Sequence, residues 1–259
     1  MTLPSAEAEA LDPRPLHARI AADLREEIMS GDLAPGSKLP STAQLKIRFD
    51  ASNATIQKAV QLLKDEGLAV GRAGAAVTVR ENRQRTVRPA GSLTPAADGA
   101  AYPWLSEAAE RPSAARSTLL AVEEVRVAGD VAGALGLPEG SPSVCRRQLI
   151  SINDEPAELV SSYYPRDVAR GTALAEPRRI RGGTPTLLAE LGFPPRRSVD
   201  RVSARIATQT QYTALRLPGD LPVLRTLRTV YSDGELPIEV TVMVKAGHLY
   251  ELRYEFAPE

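Results

Sequence analysis

A repeated layout in the second half of the chain limits its fold more than any other feature. Residues 135–165, LGLPEGSPSVCRRQLISINDEPAELVSSYYP, and residues 215–245, LRLPGDLPVLRTLRTVYSDGELPIEVTVMVK, follow one plan. Leu137-Pro138 matches Leu217-Pro218, and Pro142 matches Pro222. Each unit then has a strand-like run, a polar turn (Asn153-Asp154-Glu155 or Asp233-Gly234-Glu235) and a second run. Turn residues between β-branched runs predict a β-hairpin, so the plan predicts two long hairpins, each led by a short helix. Residues 121–127, 198–207 and 248–256 add strand character, and 130–135 reads as a short capped helix. Thr184-Pro185 opens another helix, LLAELG, with a Pro-first, Gly-after punctuation. Runs of helix and antiparallel hairpin predict an α+β domain.

The first half reads differently. Leu16, Ile20, Leu24 and Ile28 recur every four residues with charges between them. That spacing predicts a helix with one buried stripe, stopped at Gly31. The turn LAPGSKLPS follows, and Ser41 is a good N-cap for a short helix carrying Leu45 and Phe49. Asp50-Ala51 interrupts it, and Ser52 caps a third helix with Ile56, Val60 and Leu63 as its apolar stripe, ended by Gly67. Residues 68–71 and 76–80 read as two short strands around the turn Arg72-Ala73-Gly74-Ala75. The expected order is helix, helix, helix, hairpin.

A chain of 259 residues has room for two domains. The boundaries expected are a disordered tail over 1–13, one domain over 14–80, a Pro- and Ala-rich linker over 81–115 and a second domain over 116–259. Trp104 in the linker is expected to be a packed anchor rather than a ligand stack. Net charge is zero, yet residues 14–90 hold 13 basic and 8 acidic side chains, a local excess that points to an anionic partner. The single cysteine, Cys145, excludes an intramolecular disulfide, and His17 and His248 offer no metal-ligand spacing. No cofactor is expected. The longest run without a charged residue, 206–215, is ten residues, against about 20 for a membrane span. With no hydrophobic signal core in MTLPSAEAEALDP, the expectation is a cytoplasmic protein with no membrane partner.

The segments PLHARIAADLREEIMSGDLAPGSKLPS and LKIRFDASNATIQKAVQLLKDEGLAV resemble the winged helix-turn-helix of the GntR family of bacterial transcription regulators. The resemblance implies binding of double-stranded DNA, with the third helix in the major groove. Carried onto this sequence, the contacts are Ser41, Thr42, Ser52 and Thr55 at helix starts, Lys46, Arg48 and Lys58 at phosphates, and Arg72 and Gly74 in the wing. Two departures stand out: Thr42-Ala43 replaces the usual Glu-Arg, and the third helix opens Ser52-Asn53-Ala54-Thr55-Ile56-Gln57 where an arginine is common. Asn and Gln pair bidentately with adenine, so Asn53 and Gln57 are the expected base readers. Lys64 is expected on a solvated face.

The second domain resembles the UTRA ligand-sensing domain of the HutC branch, which has a chorismate-lyase-like fold. SSYYPRDVARGTALAEP, TPTLLAELG, the second repeat unit and the final YELRYEF carry that likeness. It implies a small-molecule effector site at Arg147, Ser162, Tyr163, Glu239, Lys245 and Tyr250, and a homodimer formed through this domain. Tyr163 and Ile150 could equally fill the core. Val160 stands where many members carry an acid, Gln148 and Ile150 stand near expected arginines, and Lys245 replaces a frequent tyrosine. Such a pocket suits a phosphosugar poorly. The expected function is a dimeric repressor released from a palindromic operator by an effector. A constitutive repressor is the alternative. With no Ser-His-acid or Cys-His set, a lyase-like enzyme is not expected.

Overall fold

A computed structural model describes residues 12–71, 76–81, 85–87, 115–219 and 221–255. Residues 1–11 of the expected tail, Arg72 and Gly74 of the wing, and Trp104 lie outside the described residues. The chain divides into two compact units, Met1–Gln84 and Arg85–Glu259.

In the first unit, α1 (Leu16–Ser30) buries Ile20, Ala21, Leu24 and Ile28. It stops at Gly31, whose φ of 92° is left-handed, a conformation that glycine adopts without a Cβ penalty. Helix α2 (Thr42–Phe49) buries Leu45, and α3 (Asn53–Asp65) buries Ile56, Ala59, Val60 and Leu63. These stripes meet in one core with Leu39, Leu68, Ala69 and Val79. Each fully buried Leu or Ile contributes about 1.5–3 kcal/mol. Arg25 of α1 holds Glu66 at the end of α3 at 2.5 Å. Strands β1 (Ala69–Val70) and β2 (Thr78–Val79) form the expected hairpin, and Leu39 N–H donates to the Val77 carbonyl beside it.

The second unit is built on a six-stranded antiparallel sheet. Its strands are β4 (Ala115–Arg126), β5 (Pro142–Ile152), β6 (Glu155–Pro165), β7 (Arg197–Arg205), β8 (Val223–Tyr231) and β9 (Pro237–Ala246), in the order β4-β5-β6-β9-β8-β7. Both expected hairpins are present, β5–β6 and β8–β9, and they pair with each other through β6 and β9. Helix α4 (Gly129–Leu135) follows β4; three later helices are α5 (Arg166–Ala169), α6 (Thr184–Glu190) and α7 (Gln209–Leu215). The repeat therefore extends beyond its sequence signature: strand, helix, hairpin occurs as β4-α4-β5-β6 and again as β7-α7-β8-β9. The first turn is tight, with Asn153 and Asp154 at φ of 51° and 63°. Register places Ile150 opposite Glu158 and Val230 opposite Glu239, so Glu158 and Glu239 occupy equivalent positions in the two units.

Helices α4 and α7 cover one sheet face. Val131, Ala132 and Leu135 pack on Leu227, Val240 and Tyr163, while Leu215 packs on Val223 and Val244. On the opposite face, Val168 and Ala169 of α5, Leu174 of a short 3-10 turn and Leu188 of α6 pack on Val144, Tyr164 and Val230. One expectation needs correction. Residues 85–87, read as linker, form β3 (Arg85–Val87), which pairs in parallel with β10 (Tyr250–Leu252) inside the second unit. A three-residue strand whose partner lies far along the chain leaves no local signal.

Candidate functional site

The first candidate site is the outer rim of α2 and α3. Ser41 Oγ accepts from Gln44 N–H at 3.3 Å, and the Gln44 side chain accepts from Ser41 N–H at 2.8 Å, a reciprocal capping box. Ser52 Oγ accepts from Thr55 N–H at 3.2 Å and lies 2.9 Å from Thr55 Oγ1. With both caps local, Asn53, Gln57 and Lys58 project from the first turns of α3 into solvent. Gln57 Nε2 donates to Thr42 Oγ1 at 3.4 Å, which joins α2 to the exposed face of α3. Lys46 is exposed. Arg48 is committed elsewhere: its guanidinium pairs with Glu27 of α1 and lies 4.7 Å from the centre of the Phe49 ring. Its expected phosphate contact would have to compete with that pair. Lys64 is half-buried and folds over Gly71, where an added Cβ would meet its Cε at 2.8 Å.

The second candidate site is the sheet face that carries α5 and α6. Residues directly opposite one another share a face. Across the strands, Arg146, Ser162, Thr241, Arg228 and Asp200 fall in one row. All but Asp200 are at least nine-tenths buried. Ser162 Oγ lies 2.8 Å from Thr241 Oγ1, and Thr241 donates to Glu239 Oε1 at 2.5 Å. Arg228 grips Asp200 with two bonds of 2.7 Å. Arg146 Nη1 donates to the carbonyls of Leu174 and Glu176 at 2.9 Å, and Nη2 to that of Arg178 at 2.7 Å. One side chain thus pins the 3-10 turn over the sheet. Two rows along, Lys245 Nζ lies 2.6 Å from Glu158 Oε1, both fully buried. Val160, Met243 and Thr226 lie between.

Burial sets the electrostatics here. It raises the Glu239 carboxyl above the ordinary carboxylate range, while hydrogen bonds from Thr241, Tyr164 and Ser162 and the nearby charge of Arg228 pull it back. Burial also pushes the Tyr164 hydroxyl well up, reinforced by the Glu239 charge. Burial raises the Tyr254 hydroxyl, just past β10, with the Asp200 charge adding to it and that of Arg228 opposing it.

Of the expected effector residues, Ser162 and Glu239 come together on this face. Lys245 shares it but is held by Glu158. Tyr250 is buried on β10 beside Ile152 and Ala157. Side chains alternate along a strand, so Tyr163 and Arg147 point to the other face. Tyr163 packs against the α4 core, and Arg147 pairs with Glu123 at 2.7 Å in solvent. Tyr164, Arg228, Asp200, Glu158 and Thr226 were missed. Counting by twos from Ser162 would have selected Tyr164 and Glu158. Among the described residues, no group of three or more His, Cys, Asp or Glu could hold a metal. No described helix is long and apolar enough to cross a membrane.

Comparison with known proteins now bears on both sites. Residues 16–79 match the family described as bacterial regulatory proteins, gntR family, and residues 110–251 match the UTRA domain. An uncharacterized HTH-type transcriptional regulator of Streptomyces coelicolor is 28% identical over 93% of each chain. The probable transcriptional regulator PhnF of Escherichia coli is 27% identical over 92% of each. The histidine utilization repressor of Klebsiella aerogenes is 33% identical over 50% of this chain and 49% of its own. A crystal structure of a GntR-family transcriptional regulator superposes with a TM-score of 0.61 at 25% identity, covering 95% of this chain and 99% of that one. PhnF of Mycobacterium smegmatis, at 16% identity and a TM-score of 0.56 over 93% and 100%, shares the fold. These relatives are named as transcriptional regulators, not as enzymes. The chain belongs to the GntR family of bacterial transcription regulators, in the HutC-like branch that couples a winged helix-turn-helix to a UTRA domain.

Proposed function

We propose that this chain is a cytoplasmic, homodimeric repressor that holds a palindromic operator and releases it when a small molecule occupies the polar face of its UTRA domain. The observation that carries the DNA half is the rim of α3, where Ser52 is spent on the cap and Asn53, Gln57 and Lys58 are left for the duplex. A two-fold dimer would present two such rims to two half-sites. The effector half rests on the row Arg146–Ser162–Thr241–Arg228, a buried polar band that a purely structural sheet face would fill with apolar side chains. An effector that binds the DNA-incompetent arrangement more tightly would shift the equilibrium away from the operator.

The test is a protection footprint upstream of the chain's own gene, repeated with metabolite fractions. A symmetric footprint that disappears with one fraction is the expected result. An asymmetric footprint, or none, would overturn the repressor reading. A second reading, the constitutive repressor, draws support from Lys245 and Arg228, whose charges are already met within the fold. It predicts a footprint that no fraction removes.

A further inference from the structure

We infer that Thr42 is a positioning residue for base recognition: it fixes which end of the Gln57 amide meets the duplex, so that Gln57 selects an amino-bearing base edge, adenine N6 or cytosine N4. The inference rests on the DNA reading above and narrows it. Four hydroxyl side chains, Ser41, Thr42, Ser52 and Thr55, line the rim of α2 and α3. Those of Ser41, Ser52 and Thr55 are spent at their own helix starts, on the Gln44 and Thr55 N–H groups and between Ser52 and Thr55. Thr42 is not needed for a cap, since Ser41 makes it. Its Oγ1 instead takes Gln57 Nε2 from the other helix at 3.4 Å. The spacing of the two helices is set beneath this pair, where Leu45, Ile56 and Leu63 share one core. Packing, rather than the bond itself, therefore brings the two side chains together.

The bond has a direction. A primary amide has two donors on its nitrogen and an acceptor oxygen, while a hydroxyl both donates and accepts. Contact with a hydroxyl alone therefore permits either end of the amide. A phosphate removes that choice, because its oxygens only accept. Thr42 opens α2, the helix that crosses the strand backbone in this motif. A hydroxyl that gives its one proton to phosphate has only lone pairs left for Gln57. Nε2 can meet them and Oε1 cannot, and Nε2 is the atom that faces Oγ1 here. Gln57 Oε1 is then turned to the groove as an acceptor, with the second Nε2 hydrogen beside it. In the major groove adenine and cytosine present an amino donor where thymine and guanine present a carbonyl oxygen. The turned amide accepts from the first two and faces oxygen to oxygen with the others. Its remaining N–H adds adenine N7 to the match.

The experiment selects binding sites for the full-length protein from a randomised duplex pool and then varies the selected site one base pair at a time. Gln57→Ala identifies the pair that Gln57 reads, as the one whose preference it flattens. At that pair wild type should bind amino-bearing bases about tenfold more tightly than keto bases on the same strand. Thr42→Val keeps the side-chain shape without the hydroxyl and should bring that ratio to within about twofold, because the amide can then turn over. Thr42→Ala serves where valine disturbs the start of α2, and Thr42→Ser should restore the ratio. A carboxylate has no donor end to present, so in a Gln57→Glu background Thr42→Val should leave the profile unaltered. A change there equal to that seen with Gln57 intact would mean that Thr42 acts through the fold and would overturn the inference. So would a wild-type preference for guanine or thymine at that pair, a ratio that survives Thr42→Val, or a Gln57→Ala profile with no flattened pair. Failure of the underlying DNA reading looks different and removes both: wild type then enriches no sequence from the pool.

Discussion

Asn53 and Gln57 stand one helical turn apart on the exposed side of α3, and residues at i and i+4 share a face. Asn53→Ala or Gln57→Ala should each cost about 1–3 kcal/mol, mainly as lost discrimination at one base pair. Lys58→Ala should instead weaken all sequences alike and flatten the salt slope by about one. Competition across single-base operator variants separates the two behaviours, and an unchanged preference profile in Asn53→Ala and Gln57→Ala would refute base reading. Glu239 gives a pH signature. Burial raises its carboxyl, so the folded state holds the proton more tightly than the unfolded chain. That contribution is complete below the unfolded value and is lost as pH rises through the raised folded value. Between about pH 4 and neutrality, Glu239→Gln should therefore lose less stability than wild type, as read by melting midpoints across that range. Equal pH profiles would show that the hydroxyl bonds cancel the burial. Tyr163→Ala should lower stability by roughly 2 kcal/mol through the α4 core, with effector response retained. At this scale motif alone picked out Ser162 and Glu239, which the structure brings onto one sheet face. The face of Tyr163 was not legible, because adjacent residues in a strand share a motif but never a side.

Elements with strong local signals were readable. Capping serines, four-residue apolar spacing and the two polar turns each have a cause within a few residues, and α1, α2, α3 and both hairpins followed from them. Helix α5 and the 3-10 turn were not read, since each is four residues or fewer and is fixed by tertiary contacts, the turn by Arg146. Ser52→Ala should cost about 1 kcal/mol of the first unit's stability by freeing the Thr55 N–H, and chemical denaturation of that unit measures it. The turn into β10 offers a sharper case. An added Cβ at Gly247 would lie 2.3 Å from the Pro222 carbonyl oxygen, a backbone atom that cannot move aside cheaply. Gly247→Ala should destabilise the second unit by about 1–3 kcal/mol. Normal melting of that variant would mean that the turn has a second conformation.

Among the described residues, one core lies in the first unit and four clusters lie in the second. Calorimetry should resolve two transitions, and Gly247→Ala should lower only one of them. Operator affinity should fall by orders of magnitude between low and moderate salt if several phosphates are neutralised; a flat response would count against the duplex as partner. The pairing of β3 with β10 has a further consequence, for synthesis. Tyr250 is the register partner of Arg85, so β3 has no mate until residues 250–252 have been translated. Every contact of the first core lies before residue 80, and domains emerging first fold first. On the ribosome, the winged helix-turn-helix unit is complete while the UTRA unit is still unfinished. A truncated product ending before β10 would then keep the first core intact and leave β3 without its partner strand.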